Sequence, residues 1–211
     1  FKKKYICPSD KLAEKLESLR SEYDMLRHSR ERLENLENER KELFKNMVSV
    51  CKVMTEIRKS KAEAIEADIE TNLHELEMSS ARFKIRIDQK NQLGMDGWDD
   101  VEFMFTANEG EELMPLAKIG SGGELSRVML AMKVVLGNAD SIGTFVFDEI
   151  DTGISGRTAQ KVAEKMHRVA RTKQIMCITH LPQIAAMADS HFMIEKVSVK
   201  GRTKTNIRLL K

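Results

Sequence analysis

Between Lys11 and Ile57 the chain contains neither glycine nor proline, and its apolar residues recur in alternating steps of four and three. Leu12, Leu16, Leu19, Tyr23, Leu26 and Leu33 lie on this pattern. That alternation draws one narrow stripe along a helix, the seam of a coiled coil rather than the broader face of a globular helix. The step from Leu33 to Leu36 is a stammer, a local overwinding, after which Leu43, Met47, Val50, Met54 and Ile57 resume the period. Arg30 and Arg40 fall on the seam and weaken its packing there. A helix of about 45 residues would reach ~70 Å. Such a stripe needs a partner helix to cover it. Nothing else in the chain offers a comparable stripe, so the partner is expected in a missing segment or a second molecule. Residues 1–60 are therefore expected to form a coiled-coil arm.

Residues 61–211 read differently. ARFKIRI (Ala81–Ile87) and VEFMFTA (Val101–Ala107) alternate like half-buried strands, separated by a turn rich in glycine and acids. TFVF, within Ile142–Gly156, and KQIMCITH are short continuous apolar strands, with a helix expected between them over Arg157–Ala170. Two such strands joined by a helix predict a parallel βαβ unit with both sheet faces covered. HFMIEKV and TNIRLLK read as final strands. The fold class is α/β: a parallel-core sheet with helices, preceded by a long coiled-coil helix.

Composition by itself announces no particular partner. Charged residues are 32% of the 211, yet the net charge is only +2, which is no electrostatic footprint of a nucleic-acid binder. The basic residues of the arm and of KVSVKGRTKTNIRLLK lack aromatic interleaving and read mainly as solvated surface. Cys7, Cys51 and Cys177 have no CxxC spacing and read as reduced thiols of a cytoplasmic protein. His28, His74, His167 and His191 read as structural or surface residues, and the scatter of the five histidines argues against a zinc site. No apolar run approaches a membrane span. The opening FKKKYICPSD has neither initiator methionine nor targeting character and reads as the start of a fragment or a processed chain.

Three stretches carry chemistry. In KIGSGGELSRVMLAMKVV, Gly122 and Gly123 stand at the entrance to a helix whose apolar face runs through Leu125, Val128, Met129, Met132 and Val135. The free N–H groups and positive dipole end of such an entrance suit an anion, although a glycine pair alone marks a turn more often. TFVFDE ends a buried strand with Asp148 and Glu149, where open α/β sheets bind ligands. There one acid can hold Mg²⁺ through water and the other can take a proton from an attacking water; a solvated strand-ending turn is the equal alternative. ITH places His180 at the same edge, able to donate to a terminal phosphate.

Taken in order, SGGELSR resembles the signature motif of ATP-binding-cassette ATPases, TFVFDE their Walker B strand, IDTGIS their D-loop and ITH their switch histidine. With an arm running into the lobe, the chain is similar to the SMC-like branch of that family, and to its bacterial DNA-repair members along nearly its whole length. The resemblance implies the returning arm and the C-terminal half of an ATPase head, acting in DNA double-strand-break repair and recombination in the cytoplasm, on the nucleoid. It implies that Ser121, Gly122, Gly123 and Glu124 meet the γ-phosphate of ATP on an opposing head. Asp148 would hold Mg²⁺ through water, Glu149 would be the catalytic base and His180 the γ-phosphate sensor. Asp151, Thr152, Gly153 and Ser155 would line the dimer interface. Glu124 replaces the glutamine usual in transporters, Gly120 replaces a leucine, and Ser155 stands where the D-loop usually carries aspartate.

The sequence contains no GxxxxGK[ST], and no glycine precedes a lysine. That loop supplies the cradle and lysine for the β- and γ-phosphates. The implied partners are thus an N-terminal P-loop half of the same protein, a second head in an ATP-dependent homodimer, and DNA; no membrane is implied. This chain alone is expected not to turn over ATP. The alternatives are another SMC-like repair ATPase, a transporter ATPase subunit, or a coiled-coil scaffold without catalysis.

Overall fold

The computed structural model describes residues 11–137, 139, 141–199 and 202–210. Cys7 and the opening decapeptide lie outside the described residues. The chain divides into two units, Phe1–Glu56 and Ile57–Lys211.

In the first unit everything described is helix, the start of α1 (Leu12–Glu75). Pairs one turn apart, Arg27–Glu31 and Arg30–Glu34, each close at 3.2 Å on its surface. They support it by only ~0.2–0.5 kcal/mol apiece. The seam residues Leu16, Tyr23, Leu26, Leu33, Leu36, Leu43, Met47 and Val50 are exposed. Among the described residues of this unit nothing covers them.

In the second unit the helix continues well past Ile57. Ala62, Glu66, Ile69, Leu73 and Leu76 keep the helical period and are buried. No glycine or proline marks the end; backbone geometry does. Glu77 takes the left-handed conformation (φ 62°), its N–H donates to the His74 carbonyl at 3.1 Å, and the Met78 N–H donates to the Leu73 carbonyl at 3.1 Å. This is a Schellman closure with glutamate where glycine is usual. The apolar contact that accompanies such closures comes from Leu73 and Met78, both in the core.

That final stretch of α1 anchors a hairpin of β1 (Arg82–Gly94) and β2 (Gly97–Thr106), with β3 (Met114–Pro115) added to β2. Glu70 accepts from the Phe83 N–H at 2.9 Å, and Glu66 accepts from the Ile85 N–H and Lys84 Nζ, both at 2.7 Å. Two acids one turn apart thus satisfy alternate amides of the β1 edge, which would otherwise invite another strand. Arg58 donates to Asp99 at 2.6 Å and to the Asp96 carbonyl at 2.9 Å at the hairpin's far end.

Next come α2 (Gly122–Leu136), β4 (Thr144–Phe147), α3 (Gly156–Ala170) and β5 (Gln174–Cys177). β4 and β5 pair in parallel from Thr144↔Gln174 to Phe147↔Cys177, the expected βαβ unit. α3 buries Ala159, Val162, Ala163, Met166 and Val169, an amphipathic stripe. Its Lys165 reaches the last turn of α1, donating to Asn72 Oδ1 and Glu75 Oε2 at 2.5 Å each. One core gathers Ile69, Leu73, Phe83, Phe105, Val128, Leu130, Phe145, Phe147, Ile150 and Val162.

The expectation of a sheet covered on both faces is not met. Phe145 and Phe147 are buried, but Val146 and Met176 on the other face are 64% and 56% exposed. A two-stranded sheet has one helical layer here, and among the described residues nothing lies on the second face. After α4 (Pro182–Ala185), β6 (His191–Val199) and β7 (Arg202–Leu210) form an antiparallel hairpin.

Candidate nucleotide site

Ser121 is the N-cap of α2: its hydroxyl accepts from the Glu124 N–H at 3.4 Å, at the S-x-x-E spacing of a capping box. The cap leaves Gly122 and Gly123 as the leading turn, where helix N–H groups have no intrahelical acceptor. The two glycines have different reasons to be glycine. A β-carbon on exposed Gly122 would fall 2.0 Å from Glu149 Oε2, whereas one on buried Gly123 would fall 3.0 Å from the Thr152 carbonyl oxygen. The first approach is to a movable carboxylate, the second to backbone.

Two side chains on α2 tie it to the segment after β4. Ser126 Oγ donates to the Asp148 carbonyl at 2.7 Å, and Arg127 donates to the Thr152 carbonyl at 3.0 Å. Arg127 is buried, and its Nε has no partner among the described residues. Burial lowers the guanidinium's pKa, partly opposed by the charge of Glu124. Sequence reasoning missed both residues. The available signal was an arginine one turn after Gly123, on the helix face that also carries Leu130 and Ala131.

Asp148 and Glu149 follow β4 directly and are exposed. Asp148 Oδ1 accepts from the Glu149 N–H at 2.9 Å, and Glu149 adopts φ 56°, a left-handed backbone that non-glycine residues rarely take. The turn presents two acids in succession and then drops Ile150 wholly into the core. Among the described residues no group of three or more potential metal ligands assembles. A single hard carboxylate suits Mg²⁺, which keeps waters and phosphate oxygens as its other ligands.

Asp151 is only 3% exposed, unlike Thr152, Gly153 and Ser155, which are all exposed. Its Oδ2 accepts from Thr179 Oγ1 at 2.5 Å and from the His180 N–H at 2.8 Å, and lies 3.1 Å from His180 Nδ1. Burial opposes its ionisation, but the bonds from Thr179 and the His180 amide and the charge of His180 prevail and hold the carboxyl below its ordinary value. Burial, with Asp151 and Asp148 nearby, pushes the Cys177 thiol up to about 11. The Ile178 N–H donates to the Phe147 carbonyl at 2.9 Å, carrying the parallel ladder one step further and bringing His180 to the end of β5. The fold thus brings Ser121–Glu124, Asp148–Ser155 and His180 to one end of the lobe.

No family model matches the chain. Curated relatives do. The chain is 38% identical over its whole length to the DNA repair protein RecN of Halalkalibacterium halodurans, and 46% identical over 82% of its length to RecN of Treponema pallidum. The chain is RecN-like. It spans 38% and 31% of those two relatives. Among solved structures it matches the Smc head domain with a coiled coil and joint from Pyrococcus yayanosii, at TM-score 0.61 and 20% identity, over 94% of this chain and 36% of that one. That likeness shows the fold: the RecN-like chain has the architecture of part of an Smc head domain with its coiled-coil helix. No described helix is long and apolar enough to cross a membrane.

Proposed function

We propose that the chain is the C-terminal part of an ATP-driven bacterial DNA-repair protein, and that it contributes half of a composite ATP site. The observation that carries this is the joining of the Ser121-capped glycine entrance to the Asp148–Glu149 turn through Ser126 and Arg127, with His180 beside it. In this reading Glu149 accepts the proton of the attacking water, Asp148 holds Mg²⁺ through water, and His180 faces the terminal phosphate. The amides behind Ser121, Gly122 and Gly123 receive the γ-phosphate of ATP held by an opposing head, with Glu124 beside them. Thr152, Gly153 and Ser155, being exposed, line that head-to-head interface. Bound Mg²⁺ supplies charge neutralisation on the phosphates; the residues here supply orientation and the base. The remaining partners are a P-loop half of the same protein and DNA, in the cytoplasm.

The test uses the intact protein. Glu149→Gln keeps size and most hydrogen bonding, so ATP affinity should hold while hydrolysis falls by ~10²–10⁴-fold, the usual contribution of base catalysis. ATP-bound heads should then pair more persistently, and Ser121→Arg should block pairing while single-head ATP binding survives. Normal hydrolysis by Glu149→Gln makes the carboxylate structural. Normal pairing by Ser121→Arg reduces the glycine entrance to a turn.

A further inference from the structure

Arg127 is a buried cation that the fold satisfies only in part. The residue is 8% exposed, its Nη1 donates to the Thr152 carbonyl at 3.0 Å, and its Nε meets no acceptor among the described residues. Burial opposes the charge, and the charge of Glu124 compensates only partly. For stability alone such a position favours an apolar side chain of similar volume, because a buried charge is costly unless it is fully paired. The carbonyl that the arginine reaches explains its presence. Behind Thr152 the chain is anchored by buried Ile150 and Asp151; ahead of it runs a turn with little packed around it. A β-carbon on Gly153 or Gly156 would meet nothing within 4 Å, and Gly153, Ile154 and Ser155 border an open cleft of about 310 Å³. Within the turn, the Thr152 N–H donates to the Glu149 carbonyl at 3.0 Å and the Ile154 N–H to the Asp151 carbonyl at a long 3.4 Å. The guanidinium comes from outside, from α2. It fits there because position 123, one helical turn earlier on the same face, is glycine: a β-carbon would lie 3.3 Å from Arg127 Nη1 and 3.0 Å from the carbonyl oxygen.

We propose that Arg127 is a positioning residue: through the Thr152 carbonyl it sets the exposed turn of residues 152–155 in fixed register with the helix entrance at 121–123, so that the two meet an opposing head as one preformed surface. The head-to-head part rests on the reading given above; the hold on the turn does not. Ser126, the preceding residue, donates to the Asp148 carbonyl at 2.7 Å and fastens the acid turn in the same way. Two neighbouring side chains of α2 thus tie down both halves of the segment after β4. Holding the turn before the heads meet removes its ordering cost from the pairing step. Gly123 then serves its own chain, by leaving room for the guanidinium on the carbonyl.

Arg127→Met keeps most of the bulk and removes both the charge and the donor. Hydrogen exchange on this chain reads the turn directly. The Thr152 and Ile154 amides should exchange ~10–100-fold faster than in wild type, the worth of one hydrogen bond from a charged group, while the amides of α3 keep their protection. The urea midpoint of Arg127→Met should equal or exceed that of wild type. Arg127→Lys restores a donor and should slow the exchange again. In the intact protein, Arg127→Met should weaken ATP-dependent pairing, and lower kcat with it, by ~10–100-fold, with the ATP affinity of single heads unchanged and part of the loss recovered by Arg127→Lys. Wild-type exchange at Thr152 and Ile154 in Arg127→Met overturns the hold on the turn. A lowered urea midpoint or a failure to fold makes the arginine a fold-stabilising residue and overturns the proposal as well. Faster exchange with normal pairing overturns the head-to-head role and leaves the hold on the turn. The Glu149→Gln assay reads the ATPase assignment independently of Arg127.

Discussion

Replacing the two glycines of the signature loop one at a time should give opposite results. Alanine gains roughly 0.5–1 kcal/mol over glycine within a helix, because less backbone entropy is lost on folding. At Gly122 the new methyl would stand 2.0 Å from Glu149 Oε2 and 3.3 Å from its Cδ, both at the end of an exposed, rotatable side chain. Glu149 swings away at little cost, and the helical gain survives. At Gly123 the methyl meets the Thr152 carbonyl oxygen at 3.0 Å, Thr152 Cβ at 3.2 Å and an Arg127 nitrogen at 3.3 Å. Arg127 is itself bonded to that carbonyl, and Ile150 and Asp151 just before it are buried, so the turn cannot shift freely. Overpacking of this kind costs about 1–3 kcal/mol. Set against the helical gain, the net loss for Gly123→Ala is about 0–2.5 kcal/mol. Urea unfolding of wild type and both variants, compared at equal m-values, measures this. Gly123→Ala stabilising the chain as much as Gly122→Ala does would refute the reasoning.

Leu73→Ala removes a wholly buried side chain beneath the hairpin and should cost about 2–5 kcal/mol by the same assay, whereas Leu33→Ala on the exposed seam should cost far less. Asp151 has its carboxyl held below the ordinary value of 3.8, so its contribution to stability is present above that pH and disappears as pH falls through the folded value. Acid unfolding followed by circular dichroism should therefore show a shallower loss of stability below pH ~4 in Asp151→Asn. With its thiol pushed up to about 11, Cys177 should alkylate at neutral pH roughly 100-fold more slowly than a free cysteine, read by mass spectrometry of the labelled peptide.

The sequence by itself determined the elements whose signal is local and repetitive. A run without glycine or proline and with a four-three apolar step can only be a long helix with a narrow seam, and it is one. Continuous apolar strands around an amphipathic helix dictated the βαβ unit, and with it the common edge that carries Asp148, Glu149 and His180. Gly122 and Gly123 declared a helix entrance. What remained was settled by contacts between segments far apart in sequence. Where α1 ends could not be read, because its stop is a glutamate held left-handed, and that conformation persists only while Leu73 and Met78 pack in the core. Gly123 is required by a carbonyl 29 residues further on, Thr152, and Arg127 by the same carbonyl. By resemblance Asp151 was expected to line a dimer interface with the rest of the D-loop segment; its inward turn exists because β5 brings Thr179 and His180 to it. The bare face of β4 and β5 belongs here too, since apolar residues state that a face should be buried but not what lies against it. Periodicity and turn chemistry act over a few residues and are written along the chain, whereas the partner of a buried polar group is chosen only when folding brings two distant segments together.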